Sequence, residues 1–503
     1  MWHTCQRYQQ PLQKAFSHGQ FKQFVNKHAL LRVATLHSSR KMSNTNGKIF
    51  IYYFRKQIIQ LLFDQAVPAT VYTVRPKGFW MDKILEHESK KQVPSSAPPK
   101  PRKLIDKTMS DSYIEEYLPF KSNPKLLDEY IFSDGKIRTG KLLEDLDALA
   151  GAIGYKHIDN GDQDAPPITI VTASVDRLDL FLPEAGIENY NLSGHVSYVG
   201  NSSMEIFIKA ETVPGSVEGT YIRDGMDNPE NLGILTKNTV LATRFTMVAL
   251  DSVTQKPTKI NPLKLTSPAE ERLFEMAEAN KKRKKRAAET SLLRQPPTPE
   301  ERLDIHDIFL QYSQYINGTG DDAFTSSQSS DEMQPLPSNL VWMCDTKIES
   351  NFLMQPQDRN IHNNIFGGYL MRRAYELAYA NTALFMKTSS PTLLSMDEVT
   401  FRKPVHVGTL LNLRSGIVLS EGYPHRSVQV RVIAEVINIE KGTRETTNVF
   451  HFTLASGDDK VKLRRILPKT YAETMLWIDA KRRRFQGIHA RHAMLEAGIE
   501  QQY

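Results

Sequence analysis

Only two cysteines, Cys5 and Cys344, occur in 503 residues. They stand far apart and outside any metal-ligand spacing. That excludes a disulfide framework or a zinc cluster and suggests a reducing compartment. Long apolar runs are also missing. The most apolar stretch near the N-terminus, IFIYYFRKQIIQLLF, is broken by Arg55 and Lys56 and is too short for the hydrocarbon core of a bilayer, so no integral membrane segment is expected. Acidic residues are absent from positions 1–63, which carry ten Lys or Arg. Removing those ten from the 64 basic residues of the chain leaves 54 against 57 acidic ones. The net charge of +7 therefore belongs to the N-terminus, and a nucleic-acid partner is not expected. The run NKKRKKR (280–286) has no interleaved aromatics and reads as the solvated face of a charged helix.

What is there begins with that leader. Basic, Ser-containing and free of acids, it has the composition of a mitochondrial transit peptide, which places the protein in the matrix. Residues 1–63 are read as this leader and 64–108 as a linker rich in Pro, Ser and Lys. A globular region follows over 109–262, then a helical and low-complexity connector over 263–338, a second globular region over 339–468 and a C-terminal tail over 469–503.

The two globular regions repeat one pattern. Each opens with a glycine-led helix, TGKLLEDLDALAGAIGY (139–155) and GGYLMRRAYELAYANTALF (367–385). Each continues with a strand bearing an Asp after an apolar residue, Asp176 and Asp397, and each closes on a strand with Phe-Thr, Phe245-Thr246 and Phe452-Thr453. One long helix followed by an antiparallel meander, twice over, is an α+β architecture. A helix apolar on nearly all sides must be buried, most simply by a sheet wrapped around it.

IVTASVD, LSGHVSYVGNSSMEI, NNIFGGYLM and TTNVFHFTL, taken together, resemble the mitochondrial acyl-CoA thioesterases with two hotdog domains in one chain. The likeness covers about residues 108–480. It implies tandem hotdog domains, each a long central helix wrapped by an antiparallel sheet, forming an intrachain pseudo-dimer. It implies hydrolysis of a fatty acyl-CoA to free fatty acid and coenzyme A, with no cofactor and no metal. It further implies a homo-oligomer, commonly three double-hotdog chains.

The residues can be read for that chemistry. A helix N-terminus offers unpaired N–H groups and the positive end of a dipole, which suits the charge that develops on a thioester carbonyl. Gly367 and Gly368 at such a mouth either give a reacting carbonyl room to reach the backbone or merely permit close packing of helix on sheet. Asn364, just before them, is either an oxyanion donor or an ordinary turn or cap residue. The resemblance implies a catalytic residue there, with Asn363 as the neighbouring alternative and Phe366 lining the site.

Asn cannot act as a base. The resemblance assigns that role to Asp147, which would activate water or attack the carbonyl itself. The competing reading is that Asp145 or Asp147 faces solvent, since LEDLD gives this helix a polar side. In the complementary half-site the repeat places Lys136 where the second copy has Asn364, Arg138-Thr139 for Phe366-Gly367, and Tyr375 beside Glu376 where the first has Asp147. One working site per chain is therefore expected. The phosphates of coenzyme A call for basic and hydroxyl residues, for which Arg402, Lys403, Arg177, Ser202 and Ser203 are candidates.

GKIRTGKL (135–142) fails as a phosphate-binding loop because Leu142 stands where the magnesium-binding hydroxyl belongs. His157, His195, His362, His406 and His451 form no metal pattern. Neither helix mouth carries a catalytic His, which counts against a hotdog hydratase or dehydratase. A non-catalytic acyl-CoA-binding or regulatory module remains the other alternative.

Overall fold

The two glycine-led segments form helices of equal length, 20 residues each, and everything else is arranged around them. The computed structural model describes residues 102–161, 168–181, 187–213, 233, 235–252, 254–316, 335–359, 364–388 and 390–500. These belong to one compact unit, Tyr72–Tyr503. The expected leader, Asn363 and His362 lie outside the described residues.

In chain order, short helix α1 (Met109–Ser112), strand β1 (Ile114–Leu118) and helix α2 (Pro124–Tyr130) lead into the first long helix, α3 (Thr139–Ile158). Then come β2 (Ile168–Val175), β3 (Leu178–Leu180), β4 (Asn189–Val199), β5 (Ser203–Val213) and β6 (Thr239–Asp251). The connector holds helices α4 (Pro268–Glu289) and α5 (Pro299–Ile316). The second region has β7 (Leu340–Trp342), β8 (Ile348–Leu353), β9 (Asn364–Ile365) and the second long helix, α6 (Gly367–Met386). It continues with β10 (Pro391–Met396), β11 (Val399–Thr400), β12 (Val405–His406), β13 (Leu410–Leu419), β14 (Ser427–Ile437), β15 (Arg444–Ser456) and β16 (Arg465–Leu467). The C-terminal residues form helix α7 (Tyr471–Glu500), which buries Ile478 and Ala480.

Twelve strands form one antiparallel sheet in which the path β1-β4-β5-β6-β3 continues into β10-β15-β14-β13-β8. The halves join twice. Asp179 and Leu178 of β3 pair with Ser395 and Met396 of β10, and Val175 and Ser174 of β2 pair with Val399 and Thr400 of β11. Period-2 alternation gives each half a dry inner face: Met204, Ile206 and Ile208 of β5, and Val428, Val430 and Val432 of β14, enter one core with Leu146 and Ile153 of α3 and Ala374 and Phe385 of α6. At Gly194 in β4 an added Cβ would stand 2.9 Å from Ile153 Cδ1 and 2.5 Å from the Phe207 carbonyl oxygen, so α3 lies flush on the sheet only because that position is glycine.

Helices α4 and α7 cover the opposite face. Ser267 caps α4, and its hydroxyl accepts the Glu270 amide. Phe274 then packs on Tyr198, with ring centroids 4.9 Å apart. The basic run of α4 is largely exposed, but Asn280 and Lys284 turn inward and bond the buried Asp176. The basic run is thus the solvated helix face that was expected, with one inward edge: a buried carboxylate requires a partner, and Asn280 and Lys284 supply it. Asp397 in the second half is met by Arg177 at 2.5 Å, beneath Gly487 of α7.

Candidate active site

The acids of LEDLD do not make a solvent-facing stripe. Glu144, Asp145 and Asp147 are 7 %, 6 % and 6 % exposed, and each is met by groups from outside α3. Tyr130, at the end of α2, donates its hydroxyl to Asp145. Arg372 of α6 pairs with Glu144 at 3.1 Å. Asp147 is held from two directions: Thr172 Oγ1 of β2 donates to Oδ1 at 2.9 Å, and the backbone amide of Gly368 donates to Oδ2 at 2.6 Å.

That second bond requires the N-terminus of α6 to lie almost on α3. A Cβ on Gly368 would sit 2.9 Å from Asp147 Cβ, 2.9 Å from Glu144 Cα and 3.0 Å from the Glu144 carbonyl oxygen. Close packing of helix on helix therefore accounts for this glycine. A Cβ on Gly367 would meet the Phe401 ring at 3.0 Å and Asp147 Oδ2 at 3.3 Å. Phe401 reaches this point because its amide bonds the Ala173 carbonyl at 2.9 Å, one step past the β2–β11 join.

Burial dominates the electrostatics. It raises the Asp147 carboxyl from 3.8 to about 6; the Gly368 amide and the Thr172 hydroxyl pull it down, and the Glu144 charge pushes it up. The result is a carboxyl in a dry setting that changes charge close to neutrality, which suits a general base.

Asn364 is placed by other contacts. It lies in β9, a two-residue strand paired with β12, and its Oδ1 is 2.8 Å from His406 Nδ1. Phe366 is the N-cap residue of α6, contributes no side-chain cap and packs against the core. Ser203 starts β5 and points to the face opposite Met204, away from α3. Arg402 is exposed. Lys403 is exposed and 2.7 Å from Glu445. Arg177 is engaged with Asp179 and Asp397. Asp147, Gly367 and Gly368 are thus brought together, while Ser203 lies on the other face of the sheet and Arg177 is held by two carboxylates. Thr172 and Phe401 belong to the group although the sequence did not single them out.

The corresponding position in the first repeat is filled differently. A Cβ on Gly140 would meet Tyr375 Cδ1 at 3.0 Å and Arg372 Cγ at 3.2 Å, so Tyr375 and Arg372 stand where Asp147 and Glu144 stand in the other half. The registers make Leu393, opposite Leu454, the counterpart of Thr172, opposite Met247. Arg138 pairs with Glu376 at 2.9 Å, and Lys136 Nζ is 3.5 Å from Thr392 Oγ1. Burial pushes the Tyr375 phenol further up, so the carboxylate and hydroxyl of one site are a neutral phenol and an isobutyl group in the other. Among the described residues no group of three His, Cys, Asp or Glu is placed to hold a metal ion.

No family profile matches the chain. Among curated proteins, it is 39% identical over 407 residues to acyl-coenzyme A thioesterase 9, mitochondrial, of Bos taurus, covering 80% of this chain and 84% of that protein. The Homo sapiens protein of the same name gives the same identity and coverage. Acyl-coenzyme A thioesterase 4, mitochondrial, of Humulus lupulus is 33% identical over 389 residues, 76% of this chain and 67% of that protein. Among solved structures, an acyl-CoA hydrolase from Staphylococcus aureus in complex with butyryl coenzyme A and coenzyme A is 23% identical and covers 32% of this chain and 97% of that one, with a TM-score of 0.29. An acyl-ACP thioesterase from Bacteroides thetaiotaomicron is 11% identical and covers 69% of this chain and 100% of that one, with a TM-score of 0.36. By its identity to these curated relatives over four-fifths of its length, the chain belongs to the acyl-coenzyme A thioesterase family.

Proposed function

We propose that the chain hydrolyses fatty acyl-CoA thioesters to free fatty acid and coenzyme A, at one site per chain where two hotdog domains of an intrachain pseudo-dimer meet. The observation that carries this reading is Asp147: buried, held by the Gly368 amide of the other half, and titrating at about 6. Asp147 takes a proton from water as the water oxygen bonds to the thioester carbonyl carbon. The charge formed on the carbonyl oxygen faces the positive end of α6, where the Gly367 amide and the Asn364 side chain are the donors. With its Oδ1 against His406, Asn364 presents Nδ2 as its donating end. Collapse breaks the carbon–sulfur bond, and the proton on Asp147 passes to the departing thiolate. Both carboxylate oxygens of Asp147 already accept hydrogen bonds, which favours the base role over direct attack on the carbonyl.

Arg402 and Lys403, just beyond Phe401, are the basic residues nearest the site in the chain and serve the coenzyme A phosphates in this reading. The mitochondrial matrix is the location that the acid-free leader and the mitochondrial relatives support, and an assembly of several chains belongs to the same reading. The test is thiol release from short- to long-chain acyl-CoAs by the full chain and by Asp147→Ala. Turnover that the substitution abolishes, with circular dichroism unchanged, is the expected result. Turnover that survives it would move the chemistry elsewhere.

A further inference from the structure

The use of Asp147 in that reaction leaves one feature of the two central helices unexplained. Glu144 lies one turn before Asp147 on α3, on the same side of the helix, and is nearly as buried. A second carboxylate there opposes ionisation of the first, so its presence in a site that needs Asp147 charged calls for a counterweight. Two cations surround it: Lys141, with Nζ 3.6 Å away on the same helix, and Arg372 of α6, with Nη1 at 3.1 Å. The Glu144 and Arg372 side chains are 8 % and 12 % exposed. Arg372 occupies in α6 the place that Glu144 occupies in α3, four residues after Gly368 as Glu144 is four after Gly140. The duplicated helices have thus acquired opposite charges at one equivalent position, and those charges meet across the junction.

We propose that Arg372 is a positioning residue for the reaction: through Glu144 it balances the charge beside Asp147 and clamps the mouth of α6 against α3, so that the Gly368 amide stays on the Asp147 carboxylate. This rests on the reading of Asp147 as the base. The clamp and the amide bond are parts of one contact, because the Gly368 backbone packs directly on Glu144. The other groups that meet Asp147 are uncharged: the Thr172 hydroxyl from β2, and Phe401, which closes the mouth beside Gly367. Glu144 is the charge that acts on Asp147, and Arg372 is the charge on the facing helix that acts on Glu144.

The two partners of this pair should move the pH dependence of kcat/KM in opposite directions. Glu144→Gln removes the opposing charge and shifts the acidic limb down, and Arg372→Met leaves that charge to Lys141 alone and shifts it up, each by about one pH unit. Arg372→Lys keeps the charge and holds the limb close to that of the parent, and Glu144→Gln combined with Arg372→Met brings it back to or below the parent position. Shifts in the same direction, or loss of activity equal at every pH, would overturn the proposal. Should Arg372→Met not fold, Glu144→Gln decides alone, since an unmoved limb in that folded variant is sufficient to reject it. Full activity in Asp147→Ala would instead defeat the base reading, and is distinguishable because it needs no movement of the limb.

Discussion

The amide of Gly368 donates to the Asp147 carboxylate at 2.6 Å, and through this bond a helix of the second half enters the site of the first. The neighbours of that glycine are unequal to those of its counterpart. Around Gly368 they include the Cα and carbonyl of Glu144, backbone atoms of a packed helix, whereas around Gly140 the nearest are side-chain atoms of Tyr375 and Arg372. Overpacking against backbone costs about 1–3 kcal/mol, while Ala in place of Gly within a helix gains about 1 kcal/mol. Gly368→Ala is therefore expected to destabilise the fold and to lower kcat/KM by about 100-fold by displacing the base, and Gly140→Ala to be close to neutral. Thermal melts and thiol release on the two variants check this. Equal effects would contradict it.

Activity should fall in acid. With the Asp147 carboxyl at about 6, kcat/KM is expected to rise through that region and level off above it. The Thr172 hydroxyl holds the value down, so Thr172→Val should move the limb to higher pH while leaving the plateau present. A pH profile on one acyl-CoA substrate reads both. A limb that stays in place in Thr172→Val would mean that another group titrates.

Stability should carry the same signature with the sign of a raised carboxyl. The favourable contribution of Asp147 is complete below its ordinary 3.8 and is lost as pH rises through about 6. At pH 8 the folded protein holds a buried charge at a cost of about 3 kcal/mol. Asp147→Asn removes that charge. Its melting temperature is expected to exceed that of the parent at pH 8 and to converge with it near pH 4. A difference independent of pH would show that the charge is not the cause.

Arg177 ties the halves together on the outer face, reaching Asp179 at 2.9 Å and Asp397 at 2.5 Å. Both carboxylates are buried, and removing the cation takes away the partner that both share. Arg177→Met is expected to cost about 3–5 kcal/mol, measured by chemical denaturation. A cost below about 1 kcal/mol would be the behaviour of an exposed pair.

The sequence made the two central helices legible because their apolar surface and leading glycines recur in one chain. Asp147 was marked by the resemblance, because LEDLD offers three acids in four positions and composition cannot choose among them. Thr172 was not, since a threonine in ITIVTASV looks like any β-branched strand residue. Its meeting with Asp147 depends on how β2 lies along α3. Arg372 was hidden as one of two adjacent arginines, and only the crossing of α3 and α6 decides which of them faces Glu144. The inward turn of Lys284 was hidden for the same reason: within a basic run, composition cannot say which side chain has a buried carboxylate beneath it. The space at Gly368 was open to two readings in sequence, and the contacts with Glu144 and Asp147 give it to packing.

The double strand pairing at the junction, β3 with β10 and β2 with β11, makes the two halves a single stiff beam. Two lobes hinged by a flexible strap can part to admit a long molecule and close behind it. Lobes that share a ladder of hydrogen bonds cannot do so without tearing it. Any parting of the two halves would therefore have to break both of these pairings.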